Sequence, residues 1–146
     1  MLKIDFLTGS DRAGWEELAR GKDAHFSTDR TPADYDRAWD RLLGPGPVRG
    51  IGAWLDDRMV AVAHYVFHES VWGVDGRCYL ADLFVDPSVR RQGVATSVIH
   101  RVAADARENG YRSLYWNTLA DAPARALYDR VGTFHDGFIF YSYRRP

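Results

Sequence analysis

The passage from one apolar run into another through a single glycine constrains this chain more than any other feature. Residues 77–87, Arg-Cys-Tyr-Leu-Ala-Asp-Leu-Phe-Val-Asp-Pro, carry apolar side chains on both alternating faces. A strand of that kind is central and covered on two sides. Residues 93–109 follow, and Val94, Val98, Ile99, Val102 and Ala106 make one helical stripe that Asn109-Gly110 ends. Between the two lies Val89-Arg90-Arg91-Gln92-Gly93-Val94-Ala95. The first turn of a helix has backbone N–H groups without internal partners, and the helix dipole adds positive charge there. Arg90 and Arg91 add cationic donors, Gly93 removes a side chain, Ala95 is small and Thr96 offers a hydroxyl. Together they suit a pyrophosphate. No Gly-Lys-Ser/Thr follows and only one glycine is present, so neither the P-loop nor the dinucleotide fingerprint applies. By itself the segment reads equally as an ordinary strand–helix connection with solvated arginines.

The other elements fit a mixed α/β chain of α+β character. Residues 2–7 alternate as an opening strand, and 11–25 read as a helix capped by Ser10 or Asp11. In 31–44, Thr31 is the cap, Pro32 sits in the first turn, Gly44 ends the helix, and Tyr35, Trp39 and Leu42 or Leu43 share a face. Gly44–Gly50 is the strongest breaker, and 49–70 reads as two strands joined at Asp56-Asp57. A strand over 113–119, a short helix over 121–132 capped by Asp121, and a closing strand over 137–145 complete the pattern.

The chain of 146 residues suits one domain, 1–146, with no linker or repeat. Its net charge of −1 lacks the basic balance of a generic nucleic-acid binder. Cys78 is the single cysteine, which excludes an internal disulfide and a cysteine metal site and fits a cytoplasmic home. No apolar run approaches the roughly 20 residues of a membrane span, and Asp5 interrupts the N-terminus too early for a signal peptide.

Arg90-Arg91-Gln92-Gly93-Val94-Ala95 resembles the Arg/Gln-x-x-Gly-x-Gly/Ala signature of the GCN5-related N-acetyltransferases. Further on, Asp121-Ala-Pro-Ala124-Arg-Ala-Leu127-Tyr128-Asp-Arg-Val-Gly132 resembles that family's Asn-x-x-Ala-x-x-Leu-Tyr-x-x-x-Gly motif. Two motifs in order on a strand–helix–strand–helix frame are more specific than either alone. The likeness covers about residues 76–145 and is nearest in look to the yeast-type histone/polyamine and the spermidine/spermine acetyltransferases. It implies a mostly antiparallel, twisted sheet of six or seven strands with about four helices, its fourth and fifth strands splayed around acetyl-CoA. It also implies direct acetyl transfer from acetyl-CoA to a primary amine, small or on a protein lysine, without metal, membrane or nucleic acid. Relatives often dimerise, and 137–145 is the natural exchange segment.

By the same resemblance, Arg90, Arg91, Gln92, Gly93, Val94, Ala95 and Thr96 hold the pyrophosphate, and Leu83, Phe84 and Val85 offer main chain to the pantetheine arm and thioester. Asn117, Asp121 and Ala124 stand near the coenzyme, and Tyr128 is the general acid. Asp121 replaces the usual Asn, and Ala81 stands where relatives often carry the first of two acids, leaving Asp82. Asp82 is the base candidate, directly or through water, since burial among apolar neighbours would raise its pKa; a structural ion pair with a neighbouring arginine and a simple anchor for the cationic substrate are the alternatives. His64 and His68 are weaker base candidates. Tyr128 shares a helical face with Ala124, Leu127 and Val131, so the residues alone also read it as core. Phe26, Tyr35, Trp39 and Trp72 read either as a substrate wall or as core. A non-catalytic acyl-CoA-binding domain is the rival reading.

Overall fold

Asp56 and Asp57 both take positive φ, 48° and 67°, and two consecutive left-handed residues make the turn that matches the twist of a hairpin. They join β2 (Val48–Leu55) to β3 (Arg58–His68). The computed structural model describes residues 1–145. The described residues form two compact units, Met1–Trp116 and the residues from Asn117 on.

The first unit is a five-stranded sheet in sequence order, with β1 (Leu2–Phe6), β2, β3 and β4 (Arg77–Val85) antiparallel and β5 (Ser113–Tyr115) parallel to β4. The mixed α/β class holds, and the strand count is five where the resemblance implies six or seven. The expected strand over 113–119 is shorter, ending at Tyr115.

Helices α1 (Arg12–His25) and α2 (Pro32–Leu43) pack on one side of the sheet. Thr31 caps α2, accepting the N–H of Asp34, whose carboxylate in turn accepts the N–H of Thr31. At the start of α1 the expected side-chain cap is absent: Asp11 sits at the cap position but turns back to Thr8, accepting its N–H and hydroxyl. Trp15, Leu18, Tyr35, Trp39, Met59, Val62 and Phe84 form the core here. Tyr35 and Trp39 are therefore core, which corrects their reading as a substrate wall, while Phe26 and Trp72 lie outside it, exposed.

Helix α3 (Val94–Glu108) buries Val98, Ile99, Val102 and Ala106 and packs on β3 and β4. Among these apolar residues Asp105 is 4% exposed. It accepts from Arg49 Nε at 3.0 Å, the Tyr65 hydroxyl at 2.5 Å and Asn109 Nδ2 at 3.2 Å. A buried carboxylate is tolerated where its lone pairs are filled in this way.

The second unit contains α4 (Arg125–Val131). Successive turns, Ala122 N–H to Leu119 O and Arg125 N–H to Ala122 O, delay the helix. Ala124 rather than Asp121 is therefore at the cap position, which corrects the assignment of Asp121 as the cap. Residues 137–145 form no strand. Phe138, Ile139, Phe140, Tyr141 and Tyr143 are instead exposed. Alternation shows what a strand would bury, but a strand also needs a hydrogen-bonding neighbour.

Asp105→Ala strands Arg49 and Tyr65, and is expected to cost about 3–5 kcal/mol. Urea unfolding measures it; a loss under about 1 kcal/mol would show that those donors find other acceptors.

Candidate active site

The chain leaves β4 under tight control. Asp86 donates its N–H to Val60 O at 2.7 Å, and its carboxylate accepts from Ser88 N at 2.8 Å and Arg58 Nη1 at 2.9 Å. Arg90 folds back, giving Nε to Val85 O at 3.1 Å with its guanidinium 5.7 Å from the Phe84 ring centre. Then Arg91 takes φ +66° and Gly93 φ +78°. A non-glycine residue held in the left-handed region costs on the order of 1–3 kcal/mol. Turns of this kind gather backbone N–H groups into an anion-binding concavity.

Gly93 occupies the cap position of α3 and supplies no side-chain cap to its first turn. A Cβ added there would meet nothing within 4 Å. The glycine thus serves its own conformation and whatever approaches from outside, not internal packing. Arg91 and Gln92 are exposed, Val94 is buried, and Ala95 and Thr96 are half-buried. Apart from buried Val94, the sequence-predicted segment 90–96 therefore lies at the surface at the dipole-positive end of a 15-residue helix.

Next to it, β4 carries an irregularity. His64 pairs with Asp82 and Tyr65 with Leu80, so Ala81 is an extra residue. Such a bulge re-aims the side chains beside it. Asp82 Oδ2 lies 2.9 Å from His64 Nδ1, and Oδ1 lies 2.9 Å from Lys22 Nζ of α1. Trp15 donates its indole N–H to His64 Nε2 at 2.8 Å. An indole can only donate, so His64 Nε2 accepts, Nδ1 carries the proton, and Asp82 receives it as a carboxylate.

This arrangement reverses one expectation. Burial is the largest single influence on Asp82 and pushes its pKa up, but the hydrogen bonds from His64 and Lys22 and the charge of Lys22 outweigh it and hold the group well below the usual carboxylate range. Asp82 is a standing anion with both oxygens engaged. It is built to hold a cation rather than to take up a proton.

Strand β5 pairs with β4 only from Arg77↔Ser113 to Tyr79↔Tyr115. Beyond Tyr79, β4 runs on to Val85 with no strand on that edge among the described residues. Leu83 and Val85 are half-buried there and Phe84 is buried. The fork that the resemblance implies is present in the pairing.

Asn117, Asp121, Ala124 and Tyr128 belong to the second unit. Tyr128 is half-buried on α4, and burial pushes its hydroxyl pKa up. Cys78 is fully buried and its thiol is pushed up to about 12 by that burial, which makes it a poor nucleophile. Among the described residues no three His, Cys, Asp or Glu side chains converge as metal ligands.

Sequence reasoning missed Trp15 and Lys22. Their spacing of seven, which puts both on one helical face, was the available signal.

The model of the acetyltransferase (GNAT) family matches residues 15–133, most of the chain. The chain belongs to that family. This acetyltransferase is 27% identical over 142 residues to the D-amino-acid N-acetyltransferase HPA3 of Saccharomyces cerevisiae, covering 94% of this chain and 88% of the relative. Its fold matches an aminoglycoside acetyltransferase, meta-AAC0020, from an uncultured soil metagenomic sample, with TM-score 0.83, 20% identity and coverage of 99% and 96% of the two chains. It also matches AAC(6')-Iy, solved with a CoA-linked bisubstrate analogue, with TM-score 0.85, 18% identity and coverage of 100% and 99%.

The depressed Asp82 pKa has a sign that can be tested. Its stabilisation is complete above the unfolded carboxylate value of about 3.9 and is lost as pH falls below it. Lys22→Met removes one lowering partner and leaves the burial, so the Asp82 titration followed by carboxyl ¹³C NMR is expected to move up. An unmoved titration would show that Lys22 does not set the charge.

Proposed function

We propose that this acetyltransferase moves an acetyl group directly from acetyl-CoA to the primary amine of a small molecule. The observation that carries the reading is the head of α3, where left-handed Arg91 and Gly93 precede an uncapped first helical turn. Paired phosphates are the ligand such a surface fits. The β4 edge beyond Tyr79 fits an arm with amide groups, since an extended ligand can bond to an unpaired strand edge.

Acetyl-CoA supplies the activated thioester. The residues of the chain supply the rest. N–H groups of residues 93–96 and the Arg91 side chain bind phosphate, while main chain at Leu83, Phe84 and Val85 orients the arm and polarises the carbonyl. Asp82 holds the acceptor as its ammonium, in exchange for Lys22. Tyr128, whose raised pKa keeps it protonated, gives the departing thiolate a proton, the role its motif implies. A small acceptor is supported by the relative named for D-amino acids, at 27% identity.

The test is thiol release from acetyl-CoA with a panel of D- and L-amino acids, polyamines, aminoglycosides and lysine peptides. Turnover with a small amine supports the reading. Tight CoA binding without thiol release across the panel would leave a binding domain, and turnover with peptides alone would move the acceptor to protein.

Two variants separate the parts. Tyr128→Phe is expected to lower turnover about 10- to 1,000-fold, by loss of an acid contribution, with CoA affinity unchanged in calorimetry. Gly93→Val forces a branched residue to φ +78° and is expected to weaken CoA at least tenfold. Unchanged turnover in the first or unchanged affinity in the second would withdraw the corresponding role.

A further inference from the structure

The proposed transfer leaves one proton without a destination. An acceptor bound as its ammonium must lose a proton before its nitrogen can attack. Asp82 has both oxygens engaged, and the His64 Nε2 lone pair is filled by Trp15. A second imidazole is differently placed. His68, near the end of the same sheet face, has Nδ1 2.9 Å from the Glu69 carbonyl oxygen and Nε2 2.7 Å from the Tyr115 hydroxyl. A carbonyl oxygen can only accept, so Nδ1 carries the ring proton. In the neutral ring Nε2 is then an acceptor, and Tyr115 donates its hydroxyl proton to it.

Tyr115 is the last paired residue of β5, across from Tyr79, at the point where the two strands part. It is 40% exposed. Its ring meets His68 edge-on at 5.7 Å and leans on Tyr79 at 5.2 Å. Tyr79 lies within the field of Asp82: its hydroxyl pKa is raised by burial first, then by the charge of Asp82. By register His64, paired with Asp82, and His68, paired with Arg77, are four residues apart on β3, so the anion and the Tyr115–His68 pair lie on one face of the sheet.

We propose that Tyr115 and His68 are the proton relay for the acceptor amine, with Tyr115 the catalytic residue that touches the ammonium and His68 acting through it. This rests on the acetyl-transfer reading above. One N–H proton of the ammonium passes to Tyr115 Oη as the Tyr115 proton passes to His68 Nε2. The nitrogen lone pair forms the N–C bond to the thioester carbonyl, and the C–S bond breaks. The second N–H proton is balanced by the proton the departing thiolate takes up. His68 then returns its proton to solvent through Tyr115.

Arg77 and Glu69 are the charged side chains next to His68 in the ladder and in the chain. Arg77 of β4 stands across the ladder and opposes a positive ring. The Glu69 carbonyl holds Nδ1–H, and the Glu69 carboxylate accepts from the Tyr111 hydroxyl at 3.4 Å. Tyr115 and Tyr79 are the remaining titratable neighbours.

The experiment is the pH dependence of kcat/KM for thiol release with the best small-amine acceptor, in the wild type, His68→Asn, Tyr115→Phe and the double variant. At pH 7 each single variant is expected to fall about 100- to 10,000-fold, the range of a lost general base. The loss is expected to shrink as pH approaches the pKa of the amine, where unprotonated acceptor needs no relay. The double variant is expected to be no slower than the worse single one, since the two residues act as a unit. Nitrogen-15 spectra of the wild-type His68 ring are expected to show Nδ1–H with an accepting Nε2, and Tyr115→Phe to shift the Nε2 signal. A loss equal at all pH values, or full activity in either single variant, overturns the relay while leaving acetyl transfer intact. A wild-type chain that releases no thiol with any acceptor overturns both.

Discussion

Strand β4 is bonded along its whole length on one side and along three register pairs on the other. That asymmetry sets the rest of the molecule. A strand in the middle of a sheet has its backbone groups consumed by its neighbours. Here the neighbour on one side ends at Tyr115 while β4 runs on toward Val85. The two covering layers, α1 on one face and α3 on the other, keep the strand in place without the missing pairing. Side-chain packing thus substitutes for backbone bonds, and the strand edge becomes available to an extended ligand.

The aspartates show how the fold separates structure from chemistry. Asp105 and Asp23 are each 4% exposed and are satisfied by tyrosine hydroxyls and an arginine. Such pairs gain little net stability over apolar packing, but breaking one is costly. Asp82 has a similar share of donors and differs in position. It sits beside a bulge with its side chain 30% exposed, and one of its partners is a lysine, itself a primary amine. An incoming ammonium can replace Lys22 like for like, which neither arginine-held site permits.

Most of the fold was legible because it is written in local chemistry. Thr31-Pro32 starts α2, Asp56-Asp57 turns the hairpin, and the stripe from Val94 to Ala106 fixes α3. The head of α3 was legible for the same reason: a glycine, two arginines and a strand-to-helix step are contiguous. What failed was long-range. The alternation of 137–145 names no pairing partner. The turns before Arg125 override a good capping residue at Asp121. The direction of the Asp82 shift was misread because its apolar neighbours in sequence are visible and Lys22, His64 and Trp15 are not adjacent to it. The aromatic residues of α2 were ambiguous for a related reason, since a stripe at helical spacing serves a core and a pocket wall equally well until the partner face is known.

The same electrostatics set the proposed anchor and the proposed base apart. An anion near an ammonium favours the charged form of the amine. The better Asp82 binds the acceptor, the more firmly that acceptor keeps its protons. A carboxylate held below its usual range is also a weak proton acceptor, so tight anchoring and deprotonation pull against each other at one group. The proposed relay removes that conflict by placing the proton acceptor on the hydrogen-bonded pair of Tyr115 and His68, away from the anion. The Tyr115 oxygen carries no charge to strengthen the N–H bond, and the proton ends on an imidazole whose other nitrogen is already fixed by a carbonyl. Binding and deprotonation can then be tuned separately on one sheet face, and a site anchored by an anion can still work near neutral pH.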